Sequence, residues 1–481
     1  MWSGWTFGRR GYSKMARPWD VVSYYINSWP FELRRDQIED VNELAPWPRV
    51  ALFNAPGVGK TATATAIVQC WGLEDLIDQV LLIMPPILIP QWSEWLSSFG
   101  EDYSITEYRG TPAQREKLDL EADFVLMSIQ IFKNDHEKLM KHFRPKRVAI
   151  VIDEAAMVRQ PDTENYRATR DLLETEGKRL ILMTGTPCGA HPATAYGYIA
   201  LKSPTIYTSH RQFMLIHVTG TDKYRSPNKF QNLDMLHGNL MYHAAYRLAE
   251  DVLELPETTY IPVKYDLSAK HQRLYNTLVE EKLVEFANGE VIDALSEQRL
   301  YAACQQLVIN VPDETIRPAG FDVLDQVIEE TGLMRGEDEK LIIYCNFRKS
   351  NEAVAAYLDA KKITHVLVYG GGDNQKAVEK FQQDQNCKIL VANPKSGGVG
   401  LNLQVARYQL YLEIPITSSD FQQAVARVKR CGQERKIVIW IACAKGTIQV
   451  KLQTNILKKE AIVQQVTPTV VTLRAALLGK N

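Results

Sequence analysis

The sequence predicts an α/β fold with two doubly wound, mostly parallel sheets that carry helical insertions. The chain has 481 residues, 45% of them hydrophobic, which is more than one compact core usually holds. Short apolar runs rich in β-branched residues and leucine alternate with amphipathic segments of helical length. These runs form two groups that lie far apart along the chain, so we expect one sheet from each group.

The first group predicts five buried strands, which in chain order are RVALFNA, QVLLIMP, DFVLMSI, RVAIVIDEA and RLILMTGTP. The second group predicts five more, KLIIYCN, THVLVYG, CKILVANP, RYQLYLEIP and KIVIWIACA. Parallel neighbours need a crossover connection, so the amphipathic segments between these runs are predicted to be helices.

The region between the two groups, residues 187–341, shows little strand pattern and is predicted to form helical insertions carried on the lobes. Turn-forming residues at 310–320 and the charged run RGEDEK at 335–340 predict the linker between the lobes. The expected organisation is an aromatic and basic extension over 1–29, lobe one over 30–205, helical insertions over 206–310, lobe two over 311–455 and a C-terminal tail over 456–481.

Composition limits the classes of function. The formal net charge is -1, so a nucleic-acid partner would have to be held by a local basic groove. The longest apolar run, VLLIMPPILIP, is too short for a membrane span, and the N-terminus lacks the apolar core of a secretory signal. The seven cysteines form no CxxC pair or zinc-ligand pattern, which indicates a reducing compartment. We therefore expect a cytoplasmic protein without membrane association.

A glycine-rich turn, NAPGVGKT, follows the first predicted strand and precedes a predicted helix. Gly57 and Gly59 allow the backbone N–H groups to point inward, Lys60 can reach the β and γ phosphates, and Thr61 can ligate Mg²⁺. The turn ends in the pattern GxGKT, although Asn54 stands where the full phosphate-loop pattern has glycine. This context predicts a cradle for nucleotide phosphates.

An acidic pair, Asp153 and Glu154, ends the strand predicted from VAIVI and would face the phosphate loop if the two strands are neighbours. We expect Asp153 to hold Mg²⁺, partly through water, and Glu154 to polarise the attacking water. In isolation such a pair also fits a solvated turn or the start of a helix. A phosphate loop earlier in the chain favours the catalytic interpretation.

Two further segments are open to a functional and a structural interpretation. The segment LMTGTP at 182–187 ends an apolar strand, and in isolation it predicts only a turn with a helix cap. Arg427 and Arg430 lie three residues apart, so a helix would put both guanidinium groups on one face. Such a face is often only solvated, but arginines aimed at a γ-phosphate would stabilise charge in the transition state.

Taken in order, these segments resemble the motifs of superfamily 2 helicases and translocases, and among them the Swi/Snf-type ATPases. LRRDQ resembles the adenine-reading glutamine motif, APGVGKT motif I, MPPILIPQWSEW motif Ia, DEAA motif II, LMTGTP motif III, KLIIYCNF motif IV, SGGVGLNL motif V and QQAVARVKRCGQ motif VI. The segment RLAEDVLELPETTYIPVKYDLSAKHQRLYNTL is similar to one that marks the Swi/Snf type. The resemblance covers roughly residues 30–450.

The resemblance implies two RecA-like lobes with ATP and Mg²⁺ in the cleft between them. The residues it implies for catalysis are Lys60, Asp153, Glu154, Arg427 and Arg430. Those implied for nucleotide binding are Arg34, Gln37, Pro56, Gly57, Val58, Gly59, Lys60, Thr61, Gly400 and Gln423, with Thr61 and Asp153 as Mg²⁺ ligands. Those implied for coupling to DNA are Pro85, Thr184, Gly185, Thr186, Lys395, Ser396, Gly397 and Gly398.

Three positions depart from the family pattern. Ala156 ends motif II where the family usually has histidine, Lys376 stands where an arginine is frequent, and Tyr246-Arg247 replaces an arginine pair. The chain shows no recognisable chromatin-reading module, and its size is similar to that of compact bacterial or phage members. The expected location is therefore a bacterial cytoplasm or that of a phage-infected host.

The resemblance implies a DNA-stimulated ATPase that moves on duplex DNA without sequence preference and remodels branched DNA in replication, recombination or repair. Two alternatives remain open. One is a strand-separating helicase on single-stranded DNA or RNA. The other is a nucleotide-sensing interaction module with poor turnover, to which Ala156 points.

The N-terminal extension interleaves aromatic and basic residues in the segment MWSGWTFGRRGYSKMARPW. Aromatic faces for exposed bases and cations for phosphates fit a small accessory grip on a DNA branch. A tail that packs its tryptophans on lobe one explains the same pattern equally well.

Overall fold

The computed structural model describes residues 32–99, 103–185, 187, 192–221, 227–281, 283–285, 291–293, 297–311, 313, 315–335, 339–368, 374–394, 403–415, 418–430, 432–450 and 452–453. The predicted N-terminal extension over 1–29 and the C-terminal tail over 456–481 lie outside these residues. Internal contacts divide the described chain into two compact units, with the boundary between Leu253 and Glu254.

The sheet of the first unit contains seven strands, all parallel, in the order β3-β4-β2-β5-β6-β1-β9. Their bounds are β1 Arg49–Leu52, β2 Gln79–Met84, β3 Ile105–Glu107, β4 Phe124–Ser128, β5 Val148–Ile152, β6 Lys178–Met183 and β9 Ala244–Ala245. A separate antiparallel hairpin consists of β7 Val218–Thr221 and β8 Pro227–Phe230. Every residue of the central strands β2, β4 and β5 is buried, which explains their continuous apolar sequences.

The helices of the first unit are α1 Arg35–Leu44, α2 Lys60–Leu73, α3 Ile89–Ser97, α4 Pro112–Arg115, α5 Ile129–Asn134, α6 His136–Phe143, α7 Glu164–Leu173, α8 Tyr196–Lys202, α9 His210–His217, α10 Leu233–Met241 and α11 Ala249–Val252. Helix α2 is unusual because it is buried on nearly all sides from Ala62 to Val68. Its sequence KTATATAI has small side chains, so the helix that follows the phosphate loop lies deep in the unit.

The sheet of the second unit contains six strands, also all parallel, in the order β10-β17-β16-β13-β15-β14. Their bounds are β10 Thr258–Tyr265, β13 Leu341–Tyr344, β14 His365–Val368, β15 Ile389–Ala392, β16 Tyr408–Tyr411 and β17 Ile437–Ala444, and a small antiparallel pair consists of β11 Leu283–Glu285 and β12 Val291–Asp293. The helices are α12 Ala269–Glu281, α13 Glu297–Leu307, α14 Gly320–Glu330, α15 Arg348–Ala360, α16 Gln375–Gln383 and α17 Ser418–Val425. The predicted α/β fold class with two parallel sheets is confirmed.

The region between the two strand groups is not purely helical, which corrects the expectation for residues 187–341. Strand β9 pairs with β1 in the first sheet, and strand β10 pairs with β17 along eight residues in the second. Both are edge strands, and β10 contains Pro262, so their sequences lack the continuous apolar pattern of central strands. The structure therefore divides the predicted insertion at the boundary between Leu253 and Glu254, ahead of the linker expected at 310–340. Helix α14 belongs to the second unit and lies within the range expected for lobe two.

No helix of the described residues is both long and apolar enough to cross a membrane. The five described cysteines, Cys70, Cys304, Cys345, Cys387 and Cys443, are all buried free thiols.

Candidate functional site

The predicted motifs of the first unit follow strands that end at one edge of its sheet. The phosphate loop follows β1, Thr184 and Gly185 follow β6, Asp153 and Glu154 follow β5, and Pro85 follows β2. Parallel pairing in the order β2-β5-β6-β1 brings these carboxyl ends to the same side. The strands of the phosphate loop and the acidic pair are not direct neighbours, because β6 lies between them. Functional groups in α/β proteins commonly gather at this edge.

The phosphate loop turns through two glycines in the left-handed region, Gly57 at φ 84° and Gly59 at φ 86°. Helix α2 then begins at Lys60, so its free N–H groups and positive dipole end lie beside the loop. The Lys60 ammonium donates to the carbonyls of Asn54 at 2.9 Å and Ala55 at 3.2 Å. The lysine is therefore held within the loop, where an anion would meet a fixed positive charge.

Two residues of the predicted glutamine motif contact this loop directly. The Gln37 amide donates to the Gly59 carbonyl at 3.1 Å, and the Arg34 guanidinium donates to the Val58 carbonyl at 2.6 Å. Gln37 also accepts from the Arg34 backbone N–H at 2.9 Å, and Arg34 pairs with Asp36 at 2.9 Å. The start of α1 is thus fastened to the phosphate loop. The resemblance implied nucleotide binding by these two residues and gave no sign of their bonds to the loop backbone.

A buried carboxylate, Asp40, supports the entry of the loop. It accepts from the Asn54 amide at 2.9 Å and from two nitrogens of Arg247 at 2.9 and 2.8 Å. Burial raises the pKa of Asp40, while the bonds from Asn54 and Arg247 oppose that shift. The Arg247 carbonyl in turn accepts from the Ala55 N–H at 2.8 Å. Sequence reasoning missed Asp40, because a single acid within an amphipathic helix gives no sign of burial.

The motif III residues lie against the phosphate loop. Thr184 is fully buried, and its N–H donates to the Leu52 carbonyl at 3.1 Å. A Cβ built on Gly185 would lie 2.8 Å from Pro56 Cδ, so only glycine allows this approach. Because the two segments are in close contact, a movement of the phosphate loop would displace the residues at the end of β6.

The two residues of the acidic pair differ from each other in side-chain burial and in backbone conformation. Asp153 is 9% exposed, and its Oδ1 accepts from the Glu154 N–H at 2.9 Å. Its Oδ2 accepts from the Trp92 indole Nε1 at 2.9 Å. Glu154 has φ 53° and ψ 53°, a left-handed conformation that is costly for a residue with a side chain.

The donor set fits a nucleotide with Mg²⁺. A carboxylate at Asp153 and a hydroxyl at Thr61 are hard oxygen ligands of the kind that Mg²⁺ takes beside phosphates. Lys60 and the amino end of the fourteen-residue helix α2 suit the phosphate charge. Among the described residues, no group of three or more His, Cys, Asp and Glu side chains is placed to form a metal site without a nucleotide.

The predicted arginines of the second unit do not lie on a helix face, which corrects the spacing argument. Helix α17 ends at Val425, and both arginines lie in the turn that follows. Arg427 is only 4% exposed, whereas Arg430 is half-buried and its Nε donates to the Ala426 carbonyl at 2.8 Å. Gly432, two residues after Arg430, has a left-handed φ of 90°. The predicted nucleotide-binding residue Gln423 is half-buried on α17.

A second buried acid, Glu413, follows β16 in the second unit and is hydrogen-bonded to the segment that follows β13. Its carboxylate accepts from the N–H groups of Asn346 at 2.6 Å and Phe347 at 3.3 Å, and from the Ser350 hydroxyl. Burial raises the pKa of Glu413 to about 8, and these donors oppose the shift. The carboxylate thus binds the two N–H groups that precede α15 and a side chain in the first turn of that helix, which follows β13.

Several predicted site residues lie outside the described part of the chain, namely Thr186, Lys395, Ser396, Gly397, Gly398 and Gly400. Among the described ones, the structure gathers Arg34, Gln37, Pro56, Val58, Gly59, Lys60 and Gly185 around one loop through the contacts above.

Two family models match the chain. A SNF2-related domain matches residues 46–309, and a helicase conserved C-terminal domain matches residues 321–432. The chain is 23% identical to an uncharacterized ATP-dependent helicase of Mycoplasma genitalium, covering 86% of this chain and 40% of that protein. It is 22% identical to the CHD3-type chromatin-remodeling factor CHR7 of Arabidopsis thaliana, covering 86% and 36%, and 22% identical to the uncharacterized ATP-dependent helicase YqhH of Bacillus subtilis, covering 83% and 73%.

The chain therefore spans about two fifths of the length of the first two relatives. Among solved structures, it is similar to the Sulfolobus solfataricus SWI2/SNF2 ATPase core in complex with dsDNA, at 20% identity and a TM-score of 0.44, covering 91% of this chain and 93% of that one.

Proposed function

This chain belongs to the SNF2-related family of ATP-dependent helicases, and we propose from its site that it hydrolyses ATP to move on duplex DNA. The observation that carries the proposal is the single sheet edge at which Lys60, the Asp153–Glu154 pair and Gly185 follow their strands. The loop binds the triphosphate through its N–H groups and Lys60, and Gln37 and Arg34 hold the loop in shape.

Hydrolysis needs an activated water and neutralised phosphate charge. Thr61 and Asp153 would hold Mg²⁺, which when bound would neutralise charge on the phosphates. Glu154 orients the attacking water and accepts its proton. Arg427 and Arg430 of the second unit stabilise the negative charge that develops on the transferred phosphoryl group.

Movement on DNA is proposed to use phosphate contacts instead of base contacts. The net charge of -1 gives no global attraction for DNA, so local basic groups supply the grip. The predicted coupling residues at Pro85, Thr184 and Gly185 follow strands of the same edge as the phosphate loop. Binding or hydrolysis of ATP can therefore move the segments proposed to contact DNA, because these segments and the phosphate loop follow strands at the same edge of the sheet.

Remodelling of branched DNA is the specific activity that we propose, within replication, recombination or repair in a bacterial or phage-infected cytoplasm. Branch migration at a four-way junction breaks and forms base pairs in equal number, so small ATP-driven steps can bias it. Separating a linear duplex has no such compensation, at about 1.4 kcal/mol of stacking per base-pair step.

The test measures the rate of ATP hydrolysis with blunt duplex, single-stranded DNA, RNA and a four-way junction. Each nucleic acid is added at the same total concentration of its nucleotide residues. We expect blunt duplex to stimulate turnover and the junction to be converted to forked products only with hydrolysable ATP. Stimulation by single strands or RNA but not by duplex would favour the strand-separating helicase. Nucleotide binding without turnover on any nucleic acid would favour the sensing module.

A further inference from the structure

Helix α3 carries two tryptophans, three residues apart, whose indole N–H groups donate to acceptors on different elements. The Trp92 indole donates to Asp153 Oδ2 at 2.9 Å, and Trp92 is only 4% exposed. The Trp95 indole donates to the Thr65 hydroxyl at 3.0 Å, and Trp95 is half-buried. Helix α3 therefore donates hydrogen bonds both to Asp153 of the acidic pair and to α2, the helix that follows the phosphate loop.

The bond from Trp92 constrains the carboxylate more than a backbone contact alone would. Asp153 Oδ1 already accepts from the Glu154 N–H at 2.9 Å, so each carboxylate oxygen has one fixed donor. Two donors on different oxygens determine both the side-chain rotamer and the rotation of the carboxylate plane. The remaining lone pairs then keep a constant direction, which a metal ligand requires.

The bond from Trp95 ends on a different structure. Thr65 Oγ1 also donates to the Thr61 carbonyl at 2.8 Å, one turn earlier in α2. This contact fastens α3 to the second turn of α2 and reaches Thr61 only through its backbone carbonyl, so neither proposed Mg²⁺ ligand atom, the Thr61 hydroxyl or the Asp153 carboxylate, takes part in it. Trp95 is therefore a matched internal control, with the same side chain, helix and type of donor atom but another acceptor.

We propose that Trp92 is a positioning residue that sets the direction of the Asp153 carboxylate for Mg²⁺. The proposal rests on the Mg²⁺ and nucleotide binding that is part of the function proposed above, because the carboxylate needs a fixed direction to hold the metal. It also gives α3 a role in regulation: α3 follows Pro85, which is predicted to contact DNA, so displacement of α3 would turn the carboxylate.

The experiment compares Trp92→Phe with Trp95→Phe in the full chain. The first readout is the binding of a fluorescent ATP analogue as a function of Mg²⁺ concentration, which requires no turnover. For Trp92→Phe we expect the half-saturating Mg²⁺ concentration to rise about 10-fold, the lower end of what loss of a partner behind a metal ligand usually costs. For Trp95→Phe we expect the wild-type value.

The second readout is the ratio of ATP turnover with and without duplex DNA at saturating Mg²⁺. We expect this ratio to fall for Trp92→Phe and to stay within about twofold of wild type for Trp95→Phe, since only the first variant cuts the link to the carboxylate. Equal Mg²⁺ dependence in the two variants would overturn the positioning role.

Phenylalanine is smaller than tryptophan, so Trp92→Phe also leaves a void that could unfold the unit. Replacing Trp92 by benzothienylalanine, which has the shape of tryptophan but no N–H, removes only the donor. A raised Mg²⁺ requirement in this variant supports the proposal, and an unchanged one overturns it. A wild-type protein that binds Mg²⁺ and nucleotide without turnover would refute the proposed function, yet the binding comparison at Trp92 would still decide the positioning role.

Discussion

At the scale of single residues, the two charged groups nearest the proposed reaction have separable tasks. Lys60 is hydrogen-bonded inside the phosphate loop, whereas Glu154 stands on a left-handed backbone after β5. Lys60 stabilises the complex with bound ATP, because it contacts the phosphates as soon as ATP binds. The glutamate serves only the step in which water attacks.

We therefore predict opposite kinetic signatures for two substitutions. Lys60→Ala should lose most nucleotide binding, because the loop keeps its N–H groups but not its positive charge. Glu154→Gln should bind ATP normally and lower kcat by about 10²-fold or more, since the amide cannot accept the proton. Equilibrium binding and steady-state turnover measure the two effects, and a Glu154→Gln protein with normal kcat would contradict the assignment.

Residue roles were only partly readable from the sequence. The spacing GxGKT was sufficient to single out Lys60, because the phosphate loop is a local structure made by consecutive residues. Asp40 and Trp92 could not be found in this way. Their partners, Arg247 and Asp153, are 207 and 61 residues away, so only the tertiary fold brings them together.

At the scale of elements, the amino end of α15 depends on one buried acid. Glu413 follows β16 and accepts from the first N–H groups before α15, so its charge state affects both elements. Burial holds its pKa near 8, above the ordinary value of 4.5. Between these pH values the folded protein keeps a proton on Glu413 that the unfolded chain has released.

The free energy of unfolding should consequently fall as pH rises from about 5 to 8, by at most about 1.4 kcal/mol per pH unit from this group. Glu413→Gln removes the titration and keeps a similar shape. We expect its melting temperature, relative to wild type, to be higher at pH 8 than at pH 5. If the melting temperatures of the variant and the wild type differ by the same amount at pH 5 and pH 8, Glu413 is ionised in the folded protein at both pH values.

The elements themselves divide clearly into predictable and unpredictable ones. All ten predicted strands are present, because continuous apolar runs such as QVLLIM and IVIWIACA belong to buried parallel strands. The edge strands β3, β9 and β10 and the antiparallel pairs β7–β8 and β11–β12 were missed. Strands β3 and β9 have only three and two residues, and β10 has no fully buried position and contains Pro262. The helix predicted through Arg427 and Arg430 was wrong, because α17 ends at Val425 and both arginines lie in the turn after it.

At the scale of the whole molecule, the balance of charges limits how the proposed DNA binding can respond to salt. Lysine and arginine number 56 and aspartate and glutamate 57, so attraction to DNA must come from local groups that neutralise phosphates. Each neutralised phosphate of duplex DNA releases counterions and contributes about -0.9 to the slope of log affinity against log salt.

We predict a steep loss of duplex affinity with salt that is similar for unrelated sequences of equal length. Fluorescence anisotropy of labelled duplexes between about 50 and 200 mM salt measures the slope. Nucleotide binding without DNA over the same range is the control for a general effect on the protein. A shallow slope combined with a strong sequence preference would point to base contacts instead.

The contact between Asp40 and Arg247 also has a consequence for the order in which the chain folds on the ribosome. Strand β1 has β6 on one side and β9 on the other, and Arg247 emerges 207 residues after Asp40. At ordinary rates of translation this interval lasts roughly 10 to 40 s. During that time the nascent chain exposes the unpaired edge of β1, and Asp40 lacks its cationic partner. The ATP site of the first unit is thus completed late in synthesis, close to the moment when the second unit begins to emerge.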